Sequence, residues 1–367
     1  MAAFWAVNAT ACVPVTRFGP DRDVTGWRSY LGTPRHDASA NESLATAAPA
    51  RVWRTGVGRS VRGGVAIGDS VIAVGTSDRS VALLDRQQGR LLWRRRVGGT
   101  VASAPLLDQD RLYVATQATP NGRVMALRLK TGATIWATST DGISAPLALT
   151  NSLLFAVTDA GVVQAFDVTT GMSAWRRPLG RAARAAPVPV GDAVAVATIG
   201  DSLYLLDQAS GTIKSRIATP GTVLGTPATD GVHLYCATAT GRLLSVALAG
   251  FTVVWDRPVG DPVFGAPALV HDTLYVVTGG GTLWQVPVDA PDQARSIDLK
   301  LPATAGPTPV AGGILIGGTS GEVLFVKAAT DSVGWRMRVR GPIEEPPLVR
   351  DRELILVSGG GAVEVYR

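Results

Sequence analysis

The sequence predicts an all-β protein: an eight-bladed β-propeller whose blades are four-stranded antiparallel sheets. The main observation is a pattern that occurs eight times, at intervals of 40 or 41 residues. Each copy holds small residues, usually a proline, then two aliphatic residues, a polar turn and an apolar strand that ends in Thr or Ser. The anchors of the copies are Gly64, Pro105, Pro146, Pro187, Pro227, Pro267, Pro307 and Pro347. A unit of roughly 40 residues with four short strands is typical of a propeller blade.

The composition favours the same class. Hydrophobic residues make up 46% of the chain and charged residues 17%, with 42 glycines and 23 prolines, which is a turn-dense and folded composition. No apolar run approaches the roughly 18 residues that a membrane-spanning helix needs. Since propeller blades pack around one axis, residues 51–367 are predicted to form a single domain.

The second copy shows the elements of a blade most clearly. Residues 101–107 are predicted as the innermost strand and residues 112–116 as the second strand. Residues 124–129 form the third strand, and residues 133–138, which carry Trp136, form the outer strand. Their alternating apolar and turn-forming residues are those of short, largely buried strands.

The turn before the outer strand has a recurrent composition. It reads Asp-x-x-x-Gly, and its copies include Asp85 to Gly89, Asp167 to Gly171 and Asp207 to Gly211. Asp accepts local backbone hydrogen bonds in such a turn, and Gly supplies the positive φ. A tryptophan follows four residues later at Trp93, Trp136 and Trp175, and Trp255 and Trp335 occupy the same slot in later copies. A large aromatic side chain at this point can fill the wedge between neighbouring blades.

The two ends of the chain predict how the ring closes. The last copy stops after its third strand, within residues 359–367, whereas residues 50–54 read as an outer strand with no blade before it. We therefore expect the strand that carries Trp53 to complete the eighth blade, which removes an exposed sheet edge.

The N-terminal segment bears on the compartment. Residues 1–12 read MAAFWAVNATAC, with small residues before Cys12, and resemble the end of a bacterial lipoprotein signal in which Cys12 would be lipid-modified. An alternative is an ordinary N-terminus without a signal. Residues 13–50 lack strand alternation and are predicted to be an extended leader that docks through Trp27 and Tyr30.

The repeat resembles the pyrroloquinoline-quinone-type propeller repeat over residues 51–367. The resemblance rests on the G-x-x-x-W turn, the A-P-L strand and strands such as LYVAT at residues 112–116. Eight units, the candidate lipid-modified Cys12 and the C-terminal GAVEVYR suit the BamB-like lipoprotein subunit of the bacterial outer-membrane barrel-assembly machinery. This resemblance implies a periplasmic, monomeric protein that binds a protein partner and holds no cofactor.

The residues expected to line the axis carry little chemistry. Those just before the anchors are mostly Ser, Ala, Gly and Thr, which crowding at the axis explains and which could neither ligate a metal nor sandwich a planar cofactor. Arg62 and Glu345 depart from this rule in the first and eighth blades. They are predicted to lie within ion-pairing distance, either as a structural pair at the seam or as a polar site at the channel mouth.

The charged residues leave two interpretations open. The net charge of +6 and the pI of about 9.7 fit either an anionic partner or an arginine-rich proteome, and no basic block with interleaved aromatics indicates nucleic acid. The arginines at 94–96, 176–177, 336, 338 and 340 are predicted to face solvent. The three histidines show no metal-ligand spacing, and Cys236 is predicted to be a core residue.

These observations favour a non-catalytic protein-binding scaffold at the bacterial cell envelope, an accessory in outer-membrane β-barrel protein assembly. A small quinoprotein-like oxidoreductase and a ligand-sensing surface propeller are the alternatives. The candidate partner site is the loop of residues 117–123, which is longer than its counterparts, and its candidate contact residues are Gln117, Pro120, Asn121 and Arg123.

Overall fold

The computed structural model describes residues 30–33, 36–37, 39–44, 47–118 and 121–367. These residues form eight four-stranded sheets, and every pairing within a sheet is antiparallel. The prediction of an all-β, eight-bladed propeller is therefore confirmed.

The first strand of the chain, β1 (Arg51–Gly56), belongs to the last blade. Blades 1 and 2 comprise β2 (Val61–Ile67), β3 (Val71–Thr76), β4 (Ser80–Asp85), β5 (Leu91–Arg96), β6 (Leu106–Asp108), β7 (Arg111–Thr116), β8 (Gly122–Arg128) and β9 (Thr134–Thr140). Blades 3 and 4 comprise β10 (Ala148–Leu149), β11 (Leu153–Val157), β12 (Val162–Asp167), β13 (Ser173–Pro178), β14 (Val188–Val190), β15 (Ala193–Thr198), β16 (Ser202–Asp207) and β17 (Ile213–Ala218).

Blades 5 and 6 comprise β18 (Ala228–Thr229), β19 (His233–Ala237), β20 (Arg242–Ala247), β21 (Thr252–Pro258), β22 (Ala268–Val270), β23 (Thr273–Val277), β24 (Thr282–Pro287) and β25 (Arg295–Asp298), with a 3-10 turn at Pro291–Gln293. Blades 7 and 8 comprise β26 (Thr308–Val310), β27 (Gly313–Gly317), β28 (Glu322–Lys327), β29 (Ser332–Arg338), β30 (Leu348–Arg350), β31 (Glu353–Ser358), β32 (Ala362–Tyr366) and β1.

Burial changes in a regular way from the axis to the circumference. The second strand of blade 1, β3, is buried at every residue, and β4 is buried at all but Asp85. Both faces of these strands are covered by neighbouring blades, which explains their continuous apolar sequence. The outer strand β5 has no fully buried residue. The core is thus a ring of interfaces between adjacent sheets.

Each tryptophan of the repeat contacts the turn of the following blade. The indole Nε1 of Trp93 donates to the backbone oxygen of Leu129 at 2.8 Å. Gly132 lies under the same ring, where a Cβ would come within 3.0 Å of it, and has φ of +67°. The same pairing of Trp with Gly joins Trp53 to Gly89, Trp136 to Gly171 and Trp175 to Gly211. The turn glycine is therefore needed both for its φ and for the indole above it.

Blade 7 lacks the polar half of this contact. Among the described residues, Trp335 Nε1 is buried without a hydrogen-bond partner. In blade 8, the place of the turn is taken by Ala50 and Arg367, whose backbone N–H and C=O groups pair with each other at 2.9 Å in both directions. This paired junction replaces the turn, and none of its described carbonyls accepts the indole N–H of Trp335.

Six of the eight outer-strand arginines are exposed as predicted, and two, Arg95 and Arg177, are only partly exposed and reach the next blade. Arg177 Nε donates to the backbone oxygen of Gly211 in the next blade at 2.8 Å, and Arg95 donates to Thr134 Oγ1 of the next blade at 2.8 Å. Arg176, one residue before Arg177, is exposed as expected. Because side chains alternate along a strand, Arg95 and Arg177 lie on the opposite face from their exposed neighbours, whereas Arg336, Arg338 and Arg340 are two residues apart and are all exposed.

The ring closes as predicted, through the N-terminal strand. β1 pairs antiparallel with β32, and Trp53 lies opposite Val365 in the ladder. Trp53 also donates to the backbone oxygen of Arg86 at 3.0 Å. The ring is therefore closed within the sheet of blade 8, and the seam between blades 8 and 1 has the same tryptophan contact as the interfaces that follow Trp93, Trp136 and Trp175.

A buried ion-pair network stabilises this seam. Arg86 and Glu353 are 5% and 3% exposed, and Arg86 Nη1 lies 3.2 Å from Glu353 Oε2. Arg367 contacts the other oxygen of Glu353 at 2.5 Å, and Asp351 pairs with Arg86. Glu364, only 1% exposed, lies 3.4 Å from Arg54 across the β1–β32 pairing. Removing the guanidinium partners would leave buried carboxylates uncompensated, which is strongly destabilising.

Truncation tests the closure. Deletion of residues 1–58 removes β1, the ladder with β32 and Trp53, whose side chain alone is worth about 1.5–3 kcal/mol. We expect the midpoint of thermal unfolding to fall by about 5 °C or more. Deletion of residues 1–25 should leave it unchanged, and deletion of residues 1–46 separates the leader from β1. Equal unfolding midpoints for the 1–46 and 1–58 deletions would contradict closure by β1.

The indole hydrogen bond can be measured with a matched pair of variants. Trp175 and Trp335 are 9% and 7% exposed, but Trp175 Nε1 donates to Gln208 O at 2.8 Å whereas Trp335 Nε1 has no partner among the described groups. Both Trp→Phe changes remove similar surface. We expect Trp175→Phe to lower the free energy of unfolding by about 1 kcal/mol more than Trp335→Phe. Urea denaturation measures this difference, and equal losses would refute it.

Candidate functional site

The loops that lead into the innermost strands converge at one end of the axis. They enclose a cavity of about 310 Å³ that all eight blades line. Its wall includes Arg62, Ser103, Ser144, Arg184, Leu224, Phe264, Thr304 and Glu344, in order around the ring. The residues at this end of the axis are those that directly precede the repeat anchors.

Close packing explains why most of these residues are small. A Cβ at Gly225 would lie 2.3 Å from the backbone oxygen of Gly265, and a Cβ at Gly265 would lie 2.3 Å from the backbone nitrogen of Gly306. Neither distance occurs between real atoms, so glycine is required where neighbouring loops touch. The arc of blades 5 to 7 therefore packs backbone against backbone.

The leader closes the other end of the cavity. Its described residues between 30 and 44, called here the axial strap, begin with Tyr30, which lines the cavity. Ser39 Oγ donates to Val349 O and accepts from Val349 N, both at 2.9 Å, and Glu42 O accepts from Ala311 N at 2.9 Å. The docking expected of Tyr30 is seen, whereas Trp27 lies outside the described residues.

His36 fixes the middle of the strap. It is 4% exposed, its Nδ1 lies 2.8 Å from Pro267 O, and its ring packs edge-on against Tyr30. Burial lowers the pKa of His36 to about 4, against the raising effect of the Pro267 carbonyl and Asp37. The imidazole is therefore neutral at physiological pH, with its Nδ1–H donated to the carbonyl.

Arg62 and Glu345 both line the cavity, but they do not pair as predicted. Glu345 Oε1 accepts the backbone N–H of Gly63 at 2.8 Å. No ion pair within 4 Å joins Arg62 to Glu345 in the described part of the chain, and Arg62 is exposed. Gly63 and Gly64 both have φ of +82°, and this turn presents an N–H to the carboxylate in place of the guanidinium. The ion pairs of the seam instead involve Arg86 and Glu353.

The Glu345 carboxyl has an altered acidity. Burial raises its pKa to about 7, the Gly63 N–H opposes that rise, and Glu344 adds to it. The carboxyl is thus partly protonated at neutral pH. Burial also raises the pKa of Tyr30, and the nearby Glu345 adds to that shift.

The predicted partner loop lies on the same face as the cavity mouth. Gln117 N donates to Thr100 O at 2.7 Å, in the segment that leads to the inner strand of blade 2. Gln117, Asn121 and Arg123 are exposed, and Pro120 lies outside the described residues. A partner for this loop remains a prediction.

Of the two cysteines, Cys236 lies in the described part of the chain. Cys12, the predicted lipidation site, lies outside the described residues. Cys236 is fully buried in β19, and burial raises the pKa of its thiol to about 12. This thiol is therefore an unreactive core group, as the sequence predicts.

The cavity does not fit a metal-dependent quinone. The described residues include no group of three or more His, Cys, Asp or Glu side chains that could hold a metal ion. The carboxylates on the wall are Glu344 and Glu345, and Glu345 is already bonded to Gly63. We therefore derive no chemistry through such a group. In the same described regions, no helix is long and apolar enough to cross a membrane.

The fold and the axial cavity together define the class of protein to which this chain belongs. The chain is an eight-bladed propeller of the quinoprotein-type repeat, with an axial cavity lined mainly by small residues. A family model described as outer membrane protein assembly factor BamB matches residues 40–159, 120–220 and 277–367. The chain belongs to this family.

Curated relatives carry the same description. The outer membrane protein assembly factor BamB of Bordetella pertussis is 24% identical over 341 residues, which cover 86% of each chain. The protein of that name from Alteromonas naphthalenivorans is 25% identical over 327 residues, 86% of this chain and 70% of the relative. The Legionella pneumophila protein of that name is 29% identical over 194 residues, which cover 49% of this chain and 49% of the relative.

Solved structures show the same fold. The crystal structure of BamB from Moraxella catarrhalis matches with a TM-score of 0.75 and 16% identity, and the match covers 87% of this chain and 100% of that chain. A europium-containing methanol dehydrogenase matches with a TM-score of 0.77 and 11% identity, covering 93% and 98%. At these identities the likeness shows the fold alone, since one fold can host unrelated functions.

The pKa of Glu345 predicts how stability varies with pH. Because its folded pKa of about 7 exceeds the ordinary glutamate value of 4.5, its contribution to stability is complete below about pH 4.5 and is lost as pH rises through 7. Glu345→Gln, which stays neutral, should be more stable than the wild type at pH 8 and should show a smaller decline in stability from pH 5 to 8. The exposed Glu344→Gln should give a smaller change of the same sign, because Glu344 only adds to the shift that burial causes at Glu345. Parallel stability curves for wild type and Glu345→Gln would contradict the assignment.

Proposed function

We propose that this protein is a non-catalytic scaffold of the bacterial cell envelope that assists the assembly of outer-membrane proteins. Membership of a family described as outer membrane protein assembly factor is the observation that carries this proposal. Residues 1–12 support a location in the periplasm, with an anchor to the outer membrane through a lipid on Cys12. The partner is a protein, and the propeller acts as a monomer.

The arrangement of the blades supports binding through loops. The inner strands are buried between blades, so the surfaces left for a partner are the two ends of the ring and its circumference. The cavity end offers the longer 117–123 loop, the exposed Phe264 ring and several exposed arginines, among them Arg62 and Arg184. We infer that a protein partner docks on this end, with the 117–123 loop at the edge of the contact.

A quinone-dependent oxidoreductase is the weaker alternative. The similarity to a methanol dehydrogenase concerns the fold, and the carboxylates of the cavity do not form a metal-ligand cluster among the described residues. No arrangement of side chains in the cavity favours redox chemistry over binding.

Loss of the gene tests the proposed role. In the organism that encodes this chain, we expect its deletion to lower the amount of folded outer-membrane proteins, measured by their heat-dependent migration in gels. The wild-type gene should restore that amount. A variant in which residues 117–122 are replaced by a two-residue turn should restore it less, provided that its thermal unfolding matches the wild type.

Cross-linking tests the docking face. A photo-cross-linking residue at Asn121 should capture an envelope protein in intact cells. The matched control is Val232, which is 60% exposed in the turn between β18 and β19, at the opposite end of the ring. Unchanged outer-membrane proteins in the deletion strain would overturn the proposed function, and equal capture from both positions would overturn the docking face.

A further inference from the structure

The axial cavity has two chemically different sides. Blades 1 to 4 place Arg and Ser side chains on its wall, and blades 5 and 6 place large apolar ones, beside Thr226, whose hydroxyl already accepts the Ala186 N–H at 2.9 Å. The polar side consists of Arg62, Ser103, Ser144 and Arg184, and the apolar side of Leu224 and Phe264. The eight-fold repeat does not require this division. Arg62, Ser103 and Ser144 stand two residues before their anchors, where blades 4 to 7 have Ala or Gly, and Arg184, Leu224 and Phe264 stand one residue earlier, where the blades share no residue type.

Two hydroxyls on the polar side have no hydrogen-bond partner. Ser103 is 1% exposed, and its Oγ and that of Ser144 are both buried and unpaired among the described protein groups. A buried hydroxyl without a partner costs free energy, and alanine occupies the same position in blade 4 as Ala185. Both serines line the cavity, so a hydrogen-bond acceptor bound there would supply the partner that each hydroxyl lacks.

Two guanidinium groups flank these hydroxyls. Arg62 and Arg184 are exposed at the mouth, and neither lies within 4 Å of a carboxylate of the described residues. Other exposed arginines do have acidic partners, as Arg336 of the outer strand β29 does in Glu322 at 3.4 Å. A guanidinium offers donors in a planar fork that matches a carboxylate.

The remaining charged and titratable groups limit the choice of ligand. Glu344 and Glu345 border Arg62 on the blade 8 side, and Tyr30 forms part of the floor. Glu345 is bonded to the Gly63 N–H, and burial raises its pKa to about 7, so that it is partly neutral at that pH. The polar side between blades 1 and 4 therefore favours an anion.

We propose that the axial cavity binds an organic carboxylate that carries an apolar group. The carboxylate would accept hydrogen bonds from Ser103 and Ser144 between Arg62 and Arg184, and the apolar group would rest on Leu224 and Phe264. A volume of about 310 Å³ is at the lower end of the range of roughly 300–1,000 Å³ for small-molecule sites. The ligand is either a free acid or the C-terminus of a peptide.

Binding of defined probes tests this site. N-acetylphenylalanine is titrated into the full chain and followed by calorimetry or ligand-observed NMR, with N-acetylphenylalanine amide as the uncharged control. We expect saturable binding of the acid that is at least about tenfold tighter than that of the amide, the value of one charged contact. A pentapeptide with a free C-terminal phenylalanine distinguishes the sources, because tighter binding than the single residue indicates a peptide and weaker binding a free acid.

Variants connect binding to the named groups. Ser103→Ala should weaken binding of N-acetylphenylalanine about tenfold while leaving the unfolding midpoint equal or higher, since it removes an unpaired buried hydroxyl. Arg184→Gln should weaken it by a similar factor. Arg340→Gln is the matched control, because Arg340 is also exposed but does not line the cavity.

The pH dependence gives a second readout. Since ionised Glu345 repels a carboxylate, the affinity should rise about three- to tenfold from pH 8 to pH 6, and Glu345→Gln should abolish this rise. Equal binding of acid and amide, no binding of the acid at 10 mM, or unchanged affinity in both Ser103→Ala and Arg184→Gln would overturn the proposal. None of these results bears on the role in assembly, which is measured separately in cells.

Discussion

The whole architecture depends on one interaction, the pairing of the first strand of the propeller with the last. A ring of sheets has two free edges until β1 joins β32. The seam carries the repeated contact of Trp53 with blade 1 and also two buried carboxylates, Glu353 and Glu364, each held by arginines. These ion pairs hold the closing strand in place, since a buried charge tolerates little displacement of its partners.

A single contact is then repeated at four of the eight interfaces, those that follow Trp53, Trp93, Trp136 and Trp175. The indole of one blade covers the turn glycine of the next, and its N–H reaches a backbone carbonyl of that turn. Turn chemistry and packing between blades are therefore not independent. A side chain at Gly171 would both strain a backbone with φ of +71° and collide with the ring of Trp136. Blade 7 shows the exception, because the following turn is replaced by the junction of the two chain segments.

At the axis, by contrast, large side chains are rare, because crowding leaves little space for them. Departures from small residues are consequently informative, and they cluster in arcs: basic and hydroxyl groups on blades 1 to 4, apolar groups on blades 5 and 6, and acids on blade 8. The axial strap closes the other end, so that the channel becomes a pocket with Tyr30 in its floor. The contacts proposed for a ligand are therefore concentrated where the repeat is broken.

The sequence alone determined the period, the number of blades, the strand order within a blade and the closing strand, because each follows from local turn residues and burial patterns that recur every 40 or 41 residues. The pairing of Arg62 with Glu345 could not be settled in this way, since the φ of Gly63 and Gly64 directs a backbone N–H to the carboxylate. The tertiary structure alone decided the partners of Arg86, the course of the strap and the two sides of the cavity. These contacts join residues that are far apart in sequence, and a repeating pattern records what neighbouring blades share but not which side chains meet across the ring.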